Sequence, residues 1–443
     1  MISIYYILLS LALIIVGPFL LIWKKARAGL SQKLGIVPDE LRRFAQQLDP
    51  ARRRVWFHAV SVGEFNALLP LIESFRSRHP DYQIFVSTTT ATGQEQARQR
   101  CSSFAQVFYF PFDLPWITST WLNLLRPELV AIIETEIWPG FMNECRKRDI
   151  NVVLVNGRLS PRSFKGYMRW QWFFAPVLAN FNAIAVQSES EKERYAALAG
   201  QRHAAAITVC GNIKLDGLKA CSPAETVQIR DRLNLKADDF VIVAGSTHEG
   251  EESAFLAALK ALDGRFKLIL VPRHPERFDR VAQLIESSGY RARRFTRQEG
   301  FANSHDVYLL DTIGQLGKYY SLAQIAFVGG TIAPVGGHNL VEPCAHKAAV
   351  ICGSHVHKTK DLFQKLNERE ALLMVHDEKD LISSIRRLLE SPAERIELGE
   401  NGFRFLAENQ GALAKTLSLL EKYLDRSESN QPRELGTAGG VGR

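Results

Sequence analysis

Residues Val328–Glu342 read VGGTIAPVGGHNLVE, and the fold turns on them. The apolar run Ala323–Val328 has the composition of a buried strand and stops at Gly329 and Gly330. A loop with a second glycine pair, Gly336 and Gly337, follows, and Asn339–Glu342 reads as the first turn of a helix. A glycine-rich passage from strand to helix lets backbone N–H groups approach a phosphate, and the helix dipole favours the negative charge. Glu342 then lies within a turn of that site, where a carboxylate accepts hydrogen bonds from ribose hydroxyls. The spacing matches neither the Walker phosphate loop nor the dinucleotide fingerprint. It points to a nucleotide-linked ligand on a different α/β scaffold. The alternative is a tight turn whose glycines serve only close packing.

The chain has 443 residues, too many for one core of ordinary size, so two domains are expected. Its formal net charge of +8 suits an acidic partner such as phosphate, anionic lipid or nucleic acid. The basic residues are spread between acidic ones, which argues against nucleic acid. The run Ile2–Trp23 carries no charge and fits the ~20 residues that span a bilayer core. Lys24, Lys25 and Arg27 follow it, which predicts a cytoplasmic location for everything downstream. A cleaved signal peptide places its basic residues before the apolar core and small residues at the cut; this sequence does neither, so an uncleaved anchor is expected. The six cysteines form no CxxC pair and no zinc-like spacing with histidine, which predicts reduced thiols and no structural metal.

From Val55 onward short apolar runs alternate with amphipathic stretches, the pattern of parallel sheets covered by helices. Val55–Ala59, Ile84–Ser87, Val107–Phe110, Leu129–Glu134, Val152–Asn156 and Ala183–Gln187 form one set of expected strands. Ile207–Gly211, Phe240–Gly245, Lys267–Pro272, Asp306–Leu310, Ile325–Gly329 and Val350–Cys352 form a second. The expected organisation is an anchor over residues 1–23, a Rossmann-like domain over 30–206, a second over 207–425, and a disordered polar tail over 426–443. Two such halves leave a cleft at the carboxyl ends of their strands.

Several strand ends carry chemistry. Glu64, in HAVSVGEFNA, is expected at a helix N-terminus, where the dipole keeps a carboxylate ionised and able to take a proton from an attacking hydroxyl. A first-turn glutamate that only complements the dipole is the plainer reading. Glu134-Thr135-Glu136 ends another strand and can bind acceptor hydroxyls or orient a base; the alternative is helix capping before Trp138-Pro139. The sequence does not separate the two glutamates. The loop at 156–165, with Arg158, Arg162 and Lys165, can bind carboxylate or phosphate through charge-assisted hydrogen bonds, and a solvated loop fits equally. In AGSTHEGEE, Ser246 and Thr247 can cap a helix and donate to a phosphate, while Glu249, Glu251 and Glu252 read as first-turn charges. Arg273 ends a strand and suits a phosphate or base contact, whereas Arg277 reads as a solvent-facing helix residue. Asn212 and Lys214 lie where the halves join and can reach the donor.

Taken in order, HAVSVGEFNA, FPFDLPW, ETEIWPGF, NGRLSPRSF, GNIKLD, AGSTHEGEE, VPRHPERF and GGTIAPVGGHNLVEP resemble the 3-deoxy-D-manno-octulosonic acid (Kdo) transferases of lipopolysaccharide synthesis. The set covers most of the chain from Trp56 to about Asp361. The resemblance implies a GT-B glycosyltransferase with two Rossmann-like domains facing a central cleft and one N-terminal transmembrane helix. It implies transfer from CMP-Kdo to a lipid A precursor, lipid IVA, with inversion, at the cytoplasmic face of the inner membrane. Glu64 matches the family's proposed general base, and Glu134 the first glutamate of its second acidic motif. The CMP pocket carries over to Ser246, Thr247, Arg273, His274, Gly314, Gln315, Leu316, Asn339 and Glu342. A metal-independent reaction is expected, with helix N-termini and Arg273 meeting the charge on the leaving phosphate. The competing enzyme readings are another GT-B glycosyltransferase and a nucleotide-sugar epimerase.

Overall fold

Runs such as Leu129–Ile133, in which every side chain is buried, can pair on both edges and pack on both faces, which is the condition for an interior strand of a parallel sheet. A computed structural model describes residues 2–22 and 27–429, without the side chains of 18–22, 201, 202 and 425–429. It divides into two units, residues 1–217 with 410–443, and residues 218–409.

The first unit holds the strands β1 (Arg54–Ala59), β2 (Gln83–Thr88), β3 (Ala105–Tyr109), β4 (Leu129–Ile133), β5 (Asn151–Gly157), β6 (Ala183–Val186) and β7 (Ile207–Val209). They form one sheet in the order β3-β2-β1-β4-β5-β6-β7, with every pairing parallel. The second unit holds β8 (Val241–Thr247), β9 (Lys267–Pro272), β10 (Arg291–Arg294), β11 (Asp306–Leu309), β12 (Ile325–Val328), β13 (Ala349–Gly353) and β14 (Leu372–Val375). Their order is β10-β11-β9-β8-β12-β13-β14, again all parallel. In each sheet the chain starts in the middle, fills one side, then crosses to the other side of its first strand; in the second sheet β10 takes the edge and β11 inserts between it and β9. The loops after β1 and β4, and after β8 and β12, therefore flank a crevice outside the strand ends.

Two expectations shift. Ile207–Val209 is the last strand of the first sheet rather than the first strand of the second domain, pairing with Ala183–Val186. The closing helix Ala412–Ser429 also belongs to the first unit, so the second domain does not run to 425. Leu417, Leu420 and Leu424 of that helix join the cluster of Val55, Phe57, Leu68 and Ile72. Its start is tied down by Asp216, whose carboxylate accepts from Gly411 N at 2.7 Å and from Leu413 N. The helix runs through residues 426–429, and the rest of the expected tail lies outside the described residues. The strands β10 and β14 were not expected. Both are edge strands, and RARR in β10 has no apolar run because one side needs no burial.

At the other end, Ile2–Ile22 is helical as expected. Trp23, Lys24 and Lys25 lie outside the described residues. Among the described residues no helix is long and apolar enough to cross a membrane. The helix rests on the first unit: Leu9 and Leu13 pack on its core, and the Tyr5 hydroxyl donates to Asp113 Oδ2 at 2.7 Å.

Asp216→Ala should free the start of the closing helix at a cost of about 1–3 kcal/mol. Hydrogen exchange should then quicken over residues 412–424 and stay unchanged in β8, β9 and β12. Unchanged exchange in the closing helix would show that the carboxylate does not hold it.

Candidate active site

The first crevice is lined by carboxylates. The chain leaves β1 at Ala59, and Ser61 caps the helix Val62–Arg78 by accepting from Glu64 N. Glu64, in the first turn, sends its carboxylate back to the loop, accepting from Val60 N at 2.7 Å and from the Ser61 hydroxyl at 3.0 Å. Both oxygens are thereby oriented, and each keeps a lone pair for a further partner. The dipole alone predicted an easily ionised group, but burial raises the pKa of Glu64. The charge of Glu134 adds to the rise, and the two hydrogen bonds and Lys214 oppose it. A carboxylate held above its usual range is a stronger base.

Glu134 and Glu136 follow β4 on the other side of this crevice, and the structure separates them. Glu134 sits in left-handed backbone at φ 64 and pairs with Lys214 Nζ at 2.5 Å. Glu136 has no hydrogen-bond partner among the described residues, and burial followed by the charges of Glu64 and Glu134 pushes it up to about 7. Asn212 and Lys214, expected to reach the donor, belong to the first unit. Asn212 caps the short helix Ile213–Asp216, and Lys214 is spent on Glu134.

The sequence motifs brace one another around this crevice. Asp113 of FPFDLPW accepts from Gly140 N at 2.8 Å and from Phe141 N at 2.5 Å, holding ETEIWPGF from behind. Asn156 of NGRLSPRSF, left-handed at φ 54, accepts from Ile213 N at 3.1 Å and so fixes GNIKLD. His58 is a core residue, stacked on Phe110 at 3.9 Å and kept neutral by burial, with a pKa near 3. Arg158, Arg162 and Lys165 are exposed, so the cationic loop lies at the surface.

In the second unit the glycine-rich loop departs from expectation. Glu251, fully buried, accepts from Gly330 N, Thr331 N, Ile332 N and Ala333 N at 2.9–3.1 Å, and from His248 N at 2.8 Å. A side-chain carboxylate thus occupies the amides that a phosphate was expected to use. Gly336 N and Gly337 N both donate to Gly330 O. Asn339–Glu342 is not a helical turn either. Residues 340–342 form a turn leading to a 3-10 turn at Pro343–His346, which Lys347 ends in left-handed backbone, so the expected helix does not start here. The glycines serve close approach: a Cβ on Gly329 would lie 2.2 Å from Ser246 O.

Neighbouring residues are reassigned for the same reason. Thr247 is buried and donates to Glu252 Oε1 at 2.8 Å. Glu252 is itself fully buried and held by both terminal nitrogens of Arg277 at 2.8 and 3.0 Å, so Arg277 is a structural cation rather than a solvent-facing one. Gly250, not Ser246 or Thr247, caps the helix Glu251–Ala261. Ser246 is partly exposed, with strained backbone at φ 54.

The donors left facing outward are side chains. Arg273 and His274, after β9, are exposed. His248, after β8, lies 5.3 Å from His274 and stacks on His338 of the glycine-rich loop, their Nε2 atoms 2.8 Å apart. Sequence reasoning missed His248, His338 and Lys358 as members of this cluster; only the strand order brings them together. Glu342 is half-buried with no hydrogen-bond partner among the described residues, and burial raises its pKa. A Cβ on Gly317 would lie 2.9 Å from Glu342 Oε1, so this carboxylate borders the segment Gly314-Gln315-Leu316. Asn339 is exposed beside His338. Among the described residues no group of three or more His, Cys, Asp or Glu side chains is arranged to hold a metal ion.

Glu136 gives a pH test. Its folded pKa of about 7 exceeds the ordinary 4.5, so the folded state binds the proton more tightly. That contribution to stability is complete below about pH 4.5 and is lost as pH rises through about 7. Glu136→Gln should flatten the fall in melting temperature over that window, and an unchanged slope would remove Glu136 as its source.

Residues 28–217 match the family model described as 3-deoxy-D-manno-octulosonic-acid transferase (kdotransferase). A 3-deoxy-D-manno-octulosonic acid transferase of Haemophilus influenzae is 34% identical over 85% of this chain and 89% of its own length. One from Bordetella pertussis is 30% identical over 92% of this chain and 96% of its own. Among solved structures, the UDP-GlcNAc 2-epimerase from Neisseria meningitidis bound to UDP-GlcNAc aligns with TM-score 0.56 at 12% identity, over 84% of this chain and 100% of that one. That likeness establishes the fold alone, two parallel-sheet α/β units of the GT-B kind. The sequence relatives establish more: the chain belongs to the 3-deoxy-D-manno-octulosonic acid transferase family and is a glycosyltransferase that transfers Kdo in lipopolysaccharide biosynthesis.

Proposed function

We propose that CMP-Kdo is the donor, that a lipid A precursor, lipid IVA, is the acceptor, and that transfer inverts the anomeric carbon. The observation that carries this reading is the glutamate crevice of the first sheet. There Glu64 is oriented by Val60 N and the Ser61 hydroxyl, and its pKa is raised by burial. Glu64 takes the proton of the acceptor hydroxyl as that oxygen attacks. Lys214 fixes Glu134 beside it. The second unit holds the donor. Arg273 and His274 meet the phosphate, Glu342 takes ribose hydroxyls beside Gly314, Gln315 and Leu316, and Ser246 and Asn339 complete the rim. The growing charge on the departing CMP is met by Arg273 and the neighbouring cations.

Glu64→Gln should lower transfer by about 10²–10⁴-fold while leaving CMP affinity unchanged. Arg273→Ala should do the reverse in kind, weakening CMP binding by roughly 10–100-fold through loss of a charge-assisted hydrogen bond. Transfer near the native rate in the first variant, or native CMP affinity in the second, would overturn the respective assignment.

The location we propose is the cytoplasmic face of the inner membrane. The helix Ile2–Ile22 exposes Ile4, Ile7, Leu8, Leu11, Ile14 and Ile15. Tyr5, on its inner face, contacts Phe173 with ring centroids 5.9 Å apart. The adjoining segment exposes Trp170 and Trp172 beside a groove lined by Arg162, Lys165 and Arg169. Interfacial tryptophans and surface cations are the groups that suit an anionic leaflet. The seat of the helix on the first unit favours insertion of its exposed face over a full crossing. Replacing Arg162, Lys165 and Arg169 by Gln should weaken binding to anionic vesicles by about 3 kcal/mol at low salt, roughly a hundredfold. Undiminished binding would exclude this patch.

A further inference from the structure

His248 and His338 come from loops on either side of the place where the second sheet reverses its strand order, after β8 and β12. Their rings are parallel to within 5°, with centroids 5.1 Å apart and Nε2 facing Nε2 at 2.8 Å. At that distance one nitrogen must donate and the other accept, so the pair in its neutral form holds complementary tautomers. A single added proton turns the contact into a charge-assisted hydrogen bond. A second would set two N–H groups against each other and break it. The pair is therefore built to carry no extra proton or one.

Its surroundings decide which. Gly330 forms the floor; a Cβ there would lie 3.2 Å from His338 and 3.3 Å from His248, so a side chain at this position would crowd both rings. The charged and titratable groups that bear on the pair are Arg273 and His274 after β9, Arg277, Lys358, the buried Glu252, and the buried Glu251, whose carboxylate is engaged by His248 N and by the amides of the glycine-rich loop. Arg277 and Glu252 bind each other and largely cancel. Arg273, His274 and Lys358 remain, all of positive sign or able to become so. Burial is the largest cause that brings His338 down to about 4 and lowers His248; the neighbouring imidazole and these positive groups add to it. An anion seated among these groups would offset their charge and so ease protonation of the pair against the cost of burial.

We propose that the His248–His338 pair is a proton-linked phosphate reader, neutral in the empty pocket and taking up one proton as a dianionic phosphate monoester forms or binds against Arg273, His274 and Lys358. The inference rests on the donor reading given above and assigns the pair a part in it. In the donor the phosphate is a diester with one negative charge. When the bond between the anomeric carbon and the phosphate oxygen breaks, the electron pair stays on that oxygen and a second charge develops. The proton of the acceptor hydroxyl passes to the base proposed above, while the pair draws its own proton from solvent and returns it when CMP leaves. An interaction that strengthens as the charge grows favours the transition state over the bound donor.

The test uses the full-length protein, CMP as the probe, and titration calorimetry in buffers of different ionisation enthalpy. Measurements start at about pH 7, above the second phosphate pKa of about 6, so that CMP itself changes little. Native protein should take up a proton on binding CMP, and affinity should fall with rising pH by up to about tenfold per unit. His248→Gln and His338→Gln should each abolish the uptake and flatten the profile, and His305→Gln, at an exposed position before β11, should keep both. CMP binding without proton uptake would overturn the proposal and leave the donor reading intact. A slope that survives both pair substitutions but vanishes in His274→Gln would move the effect to His274 and equally overturn it. Failure of native protein to bind CMP at any pH would overturn the donor reading, and this inference with it.

Discussion

A parallel sheet that starts at its centre must turn back once, and where it turns two neighbouring strands send their loops to opposite sides. Both sheets of this protein obey that constraint, between β1 and β4 and between β8 and β12. The chemistry gathers at those places. In the first unit the loops after β1 and β4 supply Glu64, Glu134 and Glu136, and in the second those after β8 and β12 supply His248 and His338. Opposite electrostatic characters on one topology follow from side chains alone. The first crevice confines negative charge against burial and raises carboxylate pKa values, and the second confines positive charge and lowers those of imidazoles.

Buried carboxylates hold these loops. Glu251 does for the glycine-rich loop what a bound phosphate does in other nucleotide sites: it satisfies a run of backbone amides at once. Loop and helix are thereby locked without a ligand, which leaves Arg273, the histidines and Glu342 as the groups proposed for ligand recognition. Asp113 plays the same part for the segment ETEIWPGF. Such groups are costly to bury unless fully hydrogen-bonded, and here they are.

The sequence revealed the alternation of strands and helices well, because interior strands such as β4 and β12 must be apolar throughout. It failed at β10 and β14, whose edge positions relax that demand, and at β7 and the closing helix, whose unit is decided by long-range packing. The resemblance to Kdo transferases was legible because the motifs stand in order, and much of their content proves to be mutual support. Asn156 reaches Ile213, Asp113 reaches Gly140, and Glu251 reaches Gly330. Local pattern could not show that Glu251 and Glu252 are buried, since a first-turn glutamate looks the same in water and in a core. The histidine cluster was invisible for a related reason, its members lying in three separate loops.

The central claim is that this chain moves Kdo from CMP-Kdo to a lipid A precursor, with a first-unit carboxylate as base. The most direct measurement is mass spectrometry of products after purified full-length protein meets CMP-Kdo and tetra-acylated lipid A precursor. The account predicts a glycolipid heavier by one or more Kdo residues, with CMP released in equal number. Hydrolysis of CMP-Kdo without a gain in glycolipid mass, or no consumption of either substrate, would contradict it.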